Sequence, residues 1–315
     1  MLTILIGTWN RRELLEKALS SILDGTRLAL KILVADAGST DGTVDFLREL
    51  AVADERVEPV FEGERKGQAA ALNALCQLVT SKYVCWLSDD NQVVGGALDI
   101  AVHALEADHK LGMVGLKVRD LRGPFVDAPY IGGISVTGVI NINQGVLPTA
   151  LMREVGGFSE CFRDYGIDAD LTTKILLAGR SVVFTREVSV LHERGWPEAG
   201  TTEGAALAGR NARYHRLYAL KYRPVLGDSL IWTLRRAVWR AARALWPSRL
   251  NLDAARPLAG FVVRDWHNMI VGRFVSPLTE VRRRTTPVYL RQVLPTRMRS
   301  ASLPADPDEA TLRVG

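Results

Sequence analysis

Features that define several common protein classes are missing from this sequence. The chain has three cysteines, Cys76, Cys85 and Cys161, and they lack the paired spacing of a zinc site. Their odd number argues against a disulfide-built domain, so we expect free thiols in a reducing compartment. No uncharged apolar run approaches the roughly 20 residues that a membrane-spanning helix needs, and no basic leader opens the chain. We therefore expect a cytoplasmic protein, either freely soluble or peripheral on the cytoplasmic face of a membrane.

Two nucleotide-binding motifs are also absent. A GxGxxG fingerprint does not follow the first predicted strand, which argues against NAD-dependent chemistry. The chain also lacks a GxxxxGK[ST] loop, which argues against ordinary hydrolysis of nucleoside triphosphates. Any nucleotide site in this protein must therefore be built in another way.

Acidic and basic residues are divided unevenly along the chain. Residues 1–204 hold 20 lysines and arginines against 28 acids, whereas residues 205–315 hold 20 against 7. The basic carboxy-terminal third predicts an anionic partner, with a membrane surface and nucleic acid as candidates. Because it contains no recognised nucleic-acid-binding module, we expect no nucleic-acid partner. We predict one α/β domain over residues 1–204, a basic helical region over 205–298 and a disordered tail over 299–315.

Apolar runs alternate with amphipathic segments through the first part of the chain. Buried strands are predicted at 2–7, 31–35, 57–61, 83–87 and 113–118, with helices between most of them. This alternation is typical of a doubly wound, mostly parallel sheet with helices on both faces. Polar residues follow three of the strands, at 8–11, 36–43 and 89–90. Since ligands of such sheets bind at the carboxyl ends of the strands, we expect these residues to line one crevice.

The acids that end the fourth strand and the second strand each allow two interpretations. Asp89 and Asp90 are adjacent carboxylates, and a cation such as Mg²⁺ binds one or two such groups together with substrate phosphates. Alternatively, Ser88 and Asp89 cap the next helix. Asp36 could accept hydrogen bonds from a nucleobase or ribose. Alternatively, it holds its own glycine-containing loop in an Asx turn.

Six short motifs occur in a characteristic order. They are Thr8-Trp9-Asn10-Arg11, residues 36–43, Gly67-Gln68 with Ala71-Leu72-Asn73, Ser88-Asp89-Asp90, residues 153–160, and Asp168-Ala169-Asp170-Leu171. In this order they resemble the family 2 glycosyltransferases of GT-A fold, over residues 2 to about 196. The resemblance implies a Rossmann-like domain that transfers a sugar with inversion from a nucleoside diphosphate sugar, with uridine diphosphate as the expected carrier. It further implies a divalent metal, Mg²⁺ or Mn²⁺, and a glycan or lipid-linked acceptor.

The resemblance also implies roles for individual residues. Asp168 matches the catalytic base, and Asp90, in the DxD-type motif, matches a metal ligand. His192 matches a position that contacts the metal or the diphosphate. The implied donor-nucleotide contacts are Thr8, Asn10, Arg11, Asp36, Gly67 and Asp89. Looser substrate contacts are Lys66 or its neighbour Arg65, Asn143, Gln144 and Trp196. Two positions depart from the family pattern, because Ala37 replaces a second acid and Ile167 replaces the glutamate that usually precedes the base.

Several of these residues have simpler interpretations on the sequence alone. Asp168 could be a helix N-cap, and His192 could be a packed or solvated histidine. Trp196 could belong to the core, and Asn143 and Gln144 could lie in an ordinary surface loop.

The last third of the chain contains no recognised catalytic motif. Residues 226–284 include an amphipathic segment whose arginines, Arg236, Arg240 and Arg243, lie opposite an apolar face. Tryptophans at its flanks are typical of an interfacial segment, so we expect attachment to an anionic membrane surface. Alternatively, this segment caps the catalytic domain. The sequence does not define the oligomeric state.

Two other functions stay open at this stage. The departures at Ala37 and Ile167 allow a catalytically silent module that binds a nucleotide sugar. A sugar-phosphate nucleotidyltransferase shares this type of sheet, but the glycine-rich, arginine-containing loop of that class is missing here. A processive synthase is disfavoured because the chain has neither membrane spans nor a Gln-x-x-Arg-Trp segment.

Overall fold

A mixed eight-stranded sheet forms the centre of the described part of the chain. The computed structural model describes residues 1–226, except 124, 128, 134, 136–138 and 199, together with residue 238. The strand order is β3-β2-β1-β4-β7-β6-β8-β5. The strands are β1 (Leu2–Thr8), β2 (Leu30–Asp36), β3 (Val57–Phe61), β4 (Tyr83–Ser88), β5 (Asn91–Val93), β6 (Leu111–Asp120), β7 (Gly145–Pro148) and β8 (Ser181–His192). The helices are α1 (Arg12–Gly25), α2 (Thr43–Ala53), α3 (Gln68–Leu78), α4 (Ala97–Ala107), α5 (Thr149–Glu154), α6 (Ile167–Leu177) and α7 (Thr202–Leu226), with a 3-10 turn at Glu160–Phe162.

The strands β3, β2, β1 and β4 form a parallel half-sheet whose register aligns the strand ends. Thr8 at the end of β1 pairs with Asp36 at the end of β2, and Gly7 pairs with Ser88 at the end of β4. The side chains that follow these strands therefore lie along one edge of the sheet. The α/β architecture with helices on both faces, expected from the sequence, is confirmed.

The other half of the sheet is less regular than the sequence pattern suggested. Strand β7 runs antiparallel to β4 and β6, and β5 runs antiparallel to β8. Strand β5 begins directly after Asp90, so no helix is capped by Ser88 and Asp89 there. Strand β8 has 12 residues. The exposed charges of Arg186 and Glu187 interrupt its apolar pattern where its register with β6 shifts.

Two apolar layers cover the sheet, one on each face. Helices α3, α5, α6 and α7 pack on one face through side chains such as Leu72, Leu171 and Tyr218. Helices α1, α2 and α4 pack on the other through side chains such as Leu19 and Leu47. Burial of this apolar surface is the main term that stabilises the domain. No helix in the described part of the chain is long and apolar enough to cross a membrane.

Helix α7 is fastened to the start of α6 through the buried carboxylate of Asp170. Its Oδ1 accepts hydrogen bonds from Lys221 Nζ and Tyr222 OH, both at 2.6 Å, and its Oδ2 accepts one from Ser159 Oγ at 2.6 Å. Lys174 Nζ lies 3.1 Å from Oδ2. Burial alone would raise the pKa of Asp170, but these donors hold its pKa below 3.8. The predicted boundary at residue 204 stays a prediction, although α7 begins at Thr202 and packs on the α/β domain.

We expect the Asp170→Asn variant to lose about 3 kcal/mol of unfolding free energy near pH 7, because two partly buried lysines lose their charged acceptor. Because the pKa of Asp170 is lowered on folding, the wild-type advantage should be full above 3.8 and shrink as the pH falls further. Urea denaturation at several pH values measures both effects. The control is Asp45→Asn, whose exposed pair with Arg48 is worth under about 0.5 kcal/mol. Equal losses in the two variants would contradict the expectation.

Candidate active site

A cleft of about 650 Å³ opens at the carboxyl ends of β1, β2 and β4. Eleven of the residues predicted as site residues line it, namely Thr8, Asn10, Arg11, Arg65, Gly67, Asp89, Asp90, Asn143, Gln144, Asp168 and His192. Polar segments that are distant in the sequence therefore lie together in one crevice, as we expected from the sequence. Asp36, Lys66 and Trp196 are not part of the described lining.

The two adjacent acids are buried at the end of β4, and both bond to the guanidinium group of Arg11. Asp89 and Asp90 are each 6% exposed. Arg11 Nη1 donates to Asp89 Oδ1 at 3.1 Å and to Asp90 Oδ2 at 2.9 Å, while Thr8 Oγ1 donates to Asp89 Oδ2 at 2.9 Å. Burial raises the pKa of Asp89 to about 6, although the charge of Arg11 opposes that rise. Charge neutralisation by Arg11 thus allows two carboxylates to lie side by side.

His192 connects the acid pair to a second carboxylate that the sequence analysis did not identify. The β5–β8 pairing sets Asn91 opposite His192, and His192 Nε2 lies 3.3 Å from Asp90 Oδ1. On the other side of the ring, His192 Nδ1 donates to Asp120 Oδ1 at 2.8 Å. Burial lowers the pKa of His192, but Asp90 and Asp120 raise it more, so that it lies above 6.5. In the neutral ring the proton stays on Nδ1, and the Nε2 lone pair is directed to the acid pair.

The donor atoms of Asp90 and His192 fit a divalent cation of the Mn²⁺ or Mg²⁺ type. A carboxylate and an imidazole suit Mn²⁺, and carboxylates suit Mg²⁺. In the part of the chain that the structure describes, no three His, Cys, Asp or Glu side chains form a complete metal site. A cation here would therefore need ligand oxygens, such as those of a diphosphate, to complete its coordination. It would also share Asp90 with Arg11, which bonds to the same carboxylate.

Asp168 lies in the first turn of α6 and faces the same cleft. The N-cap of α6 is Gly166, so the alternative that Asp168 caps the helix is not observed. Asp168 Oδ2 accepts a hydrogen bond from Asn141 Nδ2 at 3.0 Å, and that amide also lies 2.9 Å from Asn143 Oδ1. Asn143 Nδ2 in turn donates to Tyr130 OH at 2.8 Å. Burial raises the pKa of Asp168 and the Asn141 amide opposes this, with a net rise. A raised pKa strengthens the carboxylate as a proton acceptor.

The other predicted contacts have more local roles. Asp36 Oδ1 accepts the backbone N–H groups of Gly38 and Ser39, which is the Asx-turn arrangement, and its Oδ2 is buried without a partner among the described residues. Lys66 lies on an exposed loop with Nζ 3.9 Å from Glu64. The structure thus brings neither Lys66 nor the Asp36 side chain onto the cleft wall.

Gly67 occupies a position that only glycine fits well. Its φ is +104°, and a Cβ there would lie 2.5 Å from Arg163 Cγ. This close approach lets the loop before α3 pass beside the segment that leads to α6. The requirement for glycine is therefore steric, whether or not the backbone also contacts a ligand.

Trp196 anchors the chain after β8. Its Nε1 donates to Asp120 Oδ2 at 2.8 Å, and its ring lies 4.6 Å from the Arg194 guanidinium carbon. Asp120 thus holds both His192 and Trp196. Sequence reasoning missed Asp120, Asn141 and the cleft residues of α7, although Asp120 ends a strand as Asp36 does.

The fold and the cleft together define a GT-A-type domain, and part of this domain matches a known family. Residues 3–143 match the model of the family described as "Glycosyl transferase family 2". A putative teichuronic acid biosynthesis glycosyltransferase, TuaG, of Bacillus subtilis is 29% identical over 29% of this chain and 36% of its own length. A GalNAc(5)-diNAcBac-PP-undecaprenol beta-1,3-glucosyltransferase of Campylobacter jejuni is 31% identical over 31% of this chain and 32% of its own length. These matches support assignment of the domain that contains residues 3–143 to glycosyl transferase family 2.

Solved structures share the fold. A mannosyltransferase from Pyrobaculum calidifontis, in complex with GDP-Man and Mn²⁺, is 23% identical, with a TM-score of 0.51 over 88% of this chain and 86% of that one. TarS from S. aureus, in complex with UDP-GlcNAc, is 16% identical, with a TM-score of 0.52 over 62% of this chain and 59% of that one. The expected GT-A fold is thereby confirmed. The matches to TuaG and to the Campylobacter enzyme each span about a third of the relative's length.

We expect the Asp120→Asn variant to lower the pKa of His192 toward 6.5, because one of the two carboxylates that stabilise the protonated ring is removed. NMR titration of the five histidines in EDTA measures the shift, and His192→Gln assigns the signal. The matched control is Asp99→Asn, because Asp99 accepts backbone N–H groups of Arg27 and Leu28 instead. An unchanged His192 pKa would contradict the geometry described above.

Proposed function

We propose that this protein is a metal-dependent, inverting glycosyltransferase. It moves a sugar from a nucleoside diphosphate sugar, uridine diphosphate first among the candidates, to a hydroxyl of a glycan or lipid-linked acceptor. One observation carries the proposal: the acid pair with His192 and the carboxylate of Asp168 line the same cleft. Its family and the names of its relatives, which act on polysaccharide and undecaprenol-linked substrates, support this choice.

The donor side of the cleft is the end of β1, β2 and β4. Arg11 and Thr8 hold Asp89, and Asn10 accepts the backbone N–H of Thr40 through Oδ1 at 2.7 Å, which fixes the loops around a nucleotide. Asp90 and His192 would hold the divalent cation, which when bound neutralises the charge of the departing diphosphate. Arg11 adds a fixed positive charge to the same region. Because residue 37 is alanine, the second acid that could contact the nucleobase is missing. The family pattern therefore says least about which nucleobase the donor carries.

The acceptor side is the start of α6. In an inverting transfer the acceptor hydroxyl attacks the anomeric carbon in line with the departing diphosphate, and Asp168 accepts its proton. The raised pKa of Asp168 favours this proton transfer. It also means that, as the pH falls, this carboxylate is protonated at a higher pH than an aspartate with the ordinary pKa of 3.8. The amide of Asn141 orients Asp168 Oδ2 in the cleft. Gln144, whose Oε1 has no partner among the described residues, offers a further acceptor atom on the cleft wall.

We expect Asp168→Asn to lower sugar transfer by about 100-fold to 10,000-fold, because general-base assistance is lost, while donor binding persists. Thermal stabilisation by a panel of nucleotide sugars, with Mn²⁺, Mg²⁺ or EDTA, first identifies the donor and its metal dependence. Transfer or hydrolysis of that donor is then measured in both proteins. The control is Glu154→Gln, an exposed acid on α5.

The outcomes separate the candidate functions. Stabilisation without any transfer, in wild type as in the variant, would favour a silent binding module, which the departures at Ala37 and Ile167 leave open. A panel that gives no stabilisation with either metal would contradict the proposed donor site. Full activity of Asp168→Asn would exclude this carboxylate as the base.

We also propose that residues 226–284 attach the enzyme to an anionic membrane surface. These residues lie outside those that the structure describes, except Leu226, whose backbone ends α7, and residue 238, so the proposal rests on sequence and charge. The Campylobacter relative, whose name gives an undecaprenol-linked substrate, supports a membrane location for the acceptor. We make no proposal on the oligomeric state.

We expect the full chain to co-sediment with phosphatidylglycerol vesicles at low salt, and the triple variant of Arg236, Arg240 and Arg243 to glutamine to bind more weakly. Each arginine near an anionic surface is worth about 1 kcal/mol, so the loss should reach about 3 kcal/mol. Phosphatidylcholine vesicles and high salt serve as controls, since both remove the electrostatic attraction. Equal binding to phosphatidylglycerol and phosphatidylcholine vesicles would contradict electrostatic attachment of the basic face to the membrane.

A further inference from the structure

Two arginines from separate segments meet on one tyrosine at the wall of the cleft. Arg194 follows β8 and donates from Nη2 to Tyr165 OH at 2.7 Å. Arg210, on α7, has its guanidinium carbon 5.2 Å from the centre of the Tyr165 ring. All three residues line the cleft, and Tyr165 lies three positions before Asp168. We call Arg194, Arg210 and Tyr165 the arginine pair site.

No carboxylate among the described residues neutralises the charges of these arginines. Among the described residues, neither Arg194 nor Arg210 forms an ion pair with a carboxylate. Arg11, in contrast, is balanced by Asp89 and Asp90. Of the five guanidinium donors of Arg194, one contacts Tyr165, and the described residues take no hydrogen bond from Arg210. Two cations with spare donors, directed to a shared cleft, form a site for an anion with several oxygens.

The arginine pair site lies on the side of the cleft that holds Asp168, the proposed catalytic base. Tyr165 directly precedes Gly166, the N-cap of α6, and Asp168 lies in the first turn of that helix. The Tyr214 side chain, one turn after Arg210 on α7, packs directly against Gly166. An anion at the arginine pair site would thus lie beside the hydroxyl that Asp168 deprotonates, on the acceptor side.

We propose that the arginine pair site binds a phosphate group of the acceptor, as found in a sugar joined to a lipid through a diphosphate. This proposal rests on the proposed function and specifies its acceptor. A phosphate close to the accepting hydroxyl would be held by both guanidinium groups and would position the hydroxyl at Asp168. A phosphodiester of a polymer offers the same chemistry. The donor diphosphate is the competing source, because Arg194 follows His192 by two residues.

Binding of inorganic phosphate and of geranyl diphosphate to the full chain tests the proposal. Dissociation constants are measured by calorimetry, without nucleotide and then with the donor site saturated by UDP and Mn²⁺. We expect Arg194→Gln and Arg210→Gln each to weaken binding of both anions about tenfold, since each removes a charge-assisted contact. The control is Arg213→Gln, an exposed arginine on the same helix that does not line the cleft.

The measurements distinguish the sources and the possible failures. Tighter binding of geranyl diphosphate than of phosphate supports a lipid diphosphate, and equal binding supports a phosphodiester or another phosphate ester. Loss of anion binding when UDP and Mn²⁺ are present, or loss of UDP affinity in the variants, would assign the arginines to the donor and overturn the proposal. Unchanged anion affinity in both variants, with unfolding temperatures equal to wild type, would also overturn it. If UDP and the other nucleotides fail to bind wild type, the proposed function fails while the phosphate measurement still tests the arginines.

Discussion

The buried acid pair at the end of β4 constrains the rest of the cleft. Two adjacent carboxylates with 6% exposure cannot both stay ionised without a cation nearby. Arg11 supplies that charge and bonds to both acids. A diphosphate adds negative charge at the same place, so its approach requires more positive charge than one guanidinium carries. This requirement is the physical reason for proposing a divalent cation between Asp90, His192 and the donor.

The sheet topology determines which other side chains lie beside the acid pair. Because β5 begins directly after Asp90 and pairs antiparallel with β8, His192 is fixed beside the acid pair. Strand β6 lies parallel to β8 and ends at Asp120, which pairs in register with His192 and accepts its Nδ1–H. One carboxylate thereby fixes the tautomer of the histidine and the position of Trp196. The irregular half of the sheet therefore contributes as much to the cleft as the parallel half.

The sequence predicted the features that depend on local pattern. The apolar runs that end near Thr8, Asp36 and Asp89 can be read directly from the sequence. Because the carboxyl ends of parallel strands lie at one edge of the sheet, these residues are predicted to lie close together. Asn141 and Arg210 could not be found in this way, and Asp120 ends a strand but its role does not follow from that position alone. Asp120 matters only because β8 runs beside β6, Asn141 lies in a glycine-rich loop without periodicity, and Arg210 reaches the cleft only because α7 returns to α6. Such contacts follow from long-range packing, which no short motif encodes.

Asp168 and Asp170 show how packing assigns different roles to two acids on one helix. Asp170 is bonded to Ser159, Lys221 and Tyr222, and these donors keep its pKa low. Its lone pairs are occupied in fastening α7, so it has no capacity to accept a proton from a substrate. Asp168 has one side-chain partner, Asn141, and a raised pKa. Environments that separate the pKa values of neighbouring acids are how proteins assign acid–base roles, and here the separation points to Asp168. Asp170 thus holds α7, the helix that carries Arg210 to the cleft, against the domain. The same contacts prevent Asp170 from acting as the catalytic base.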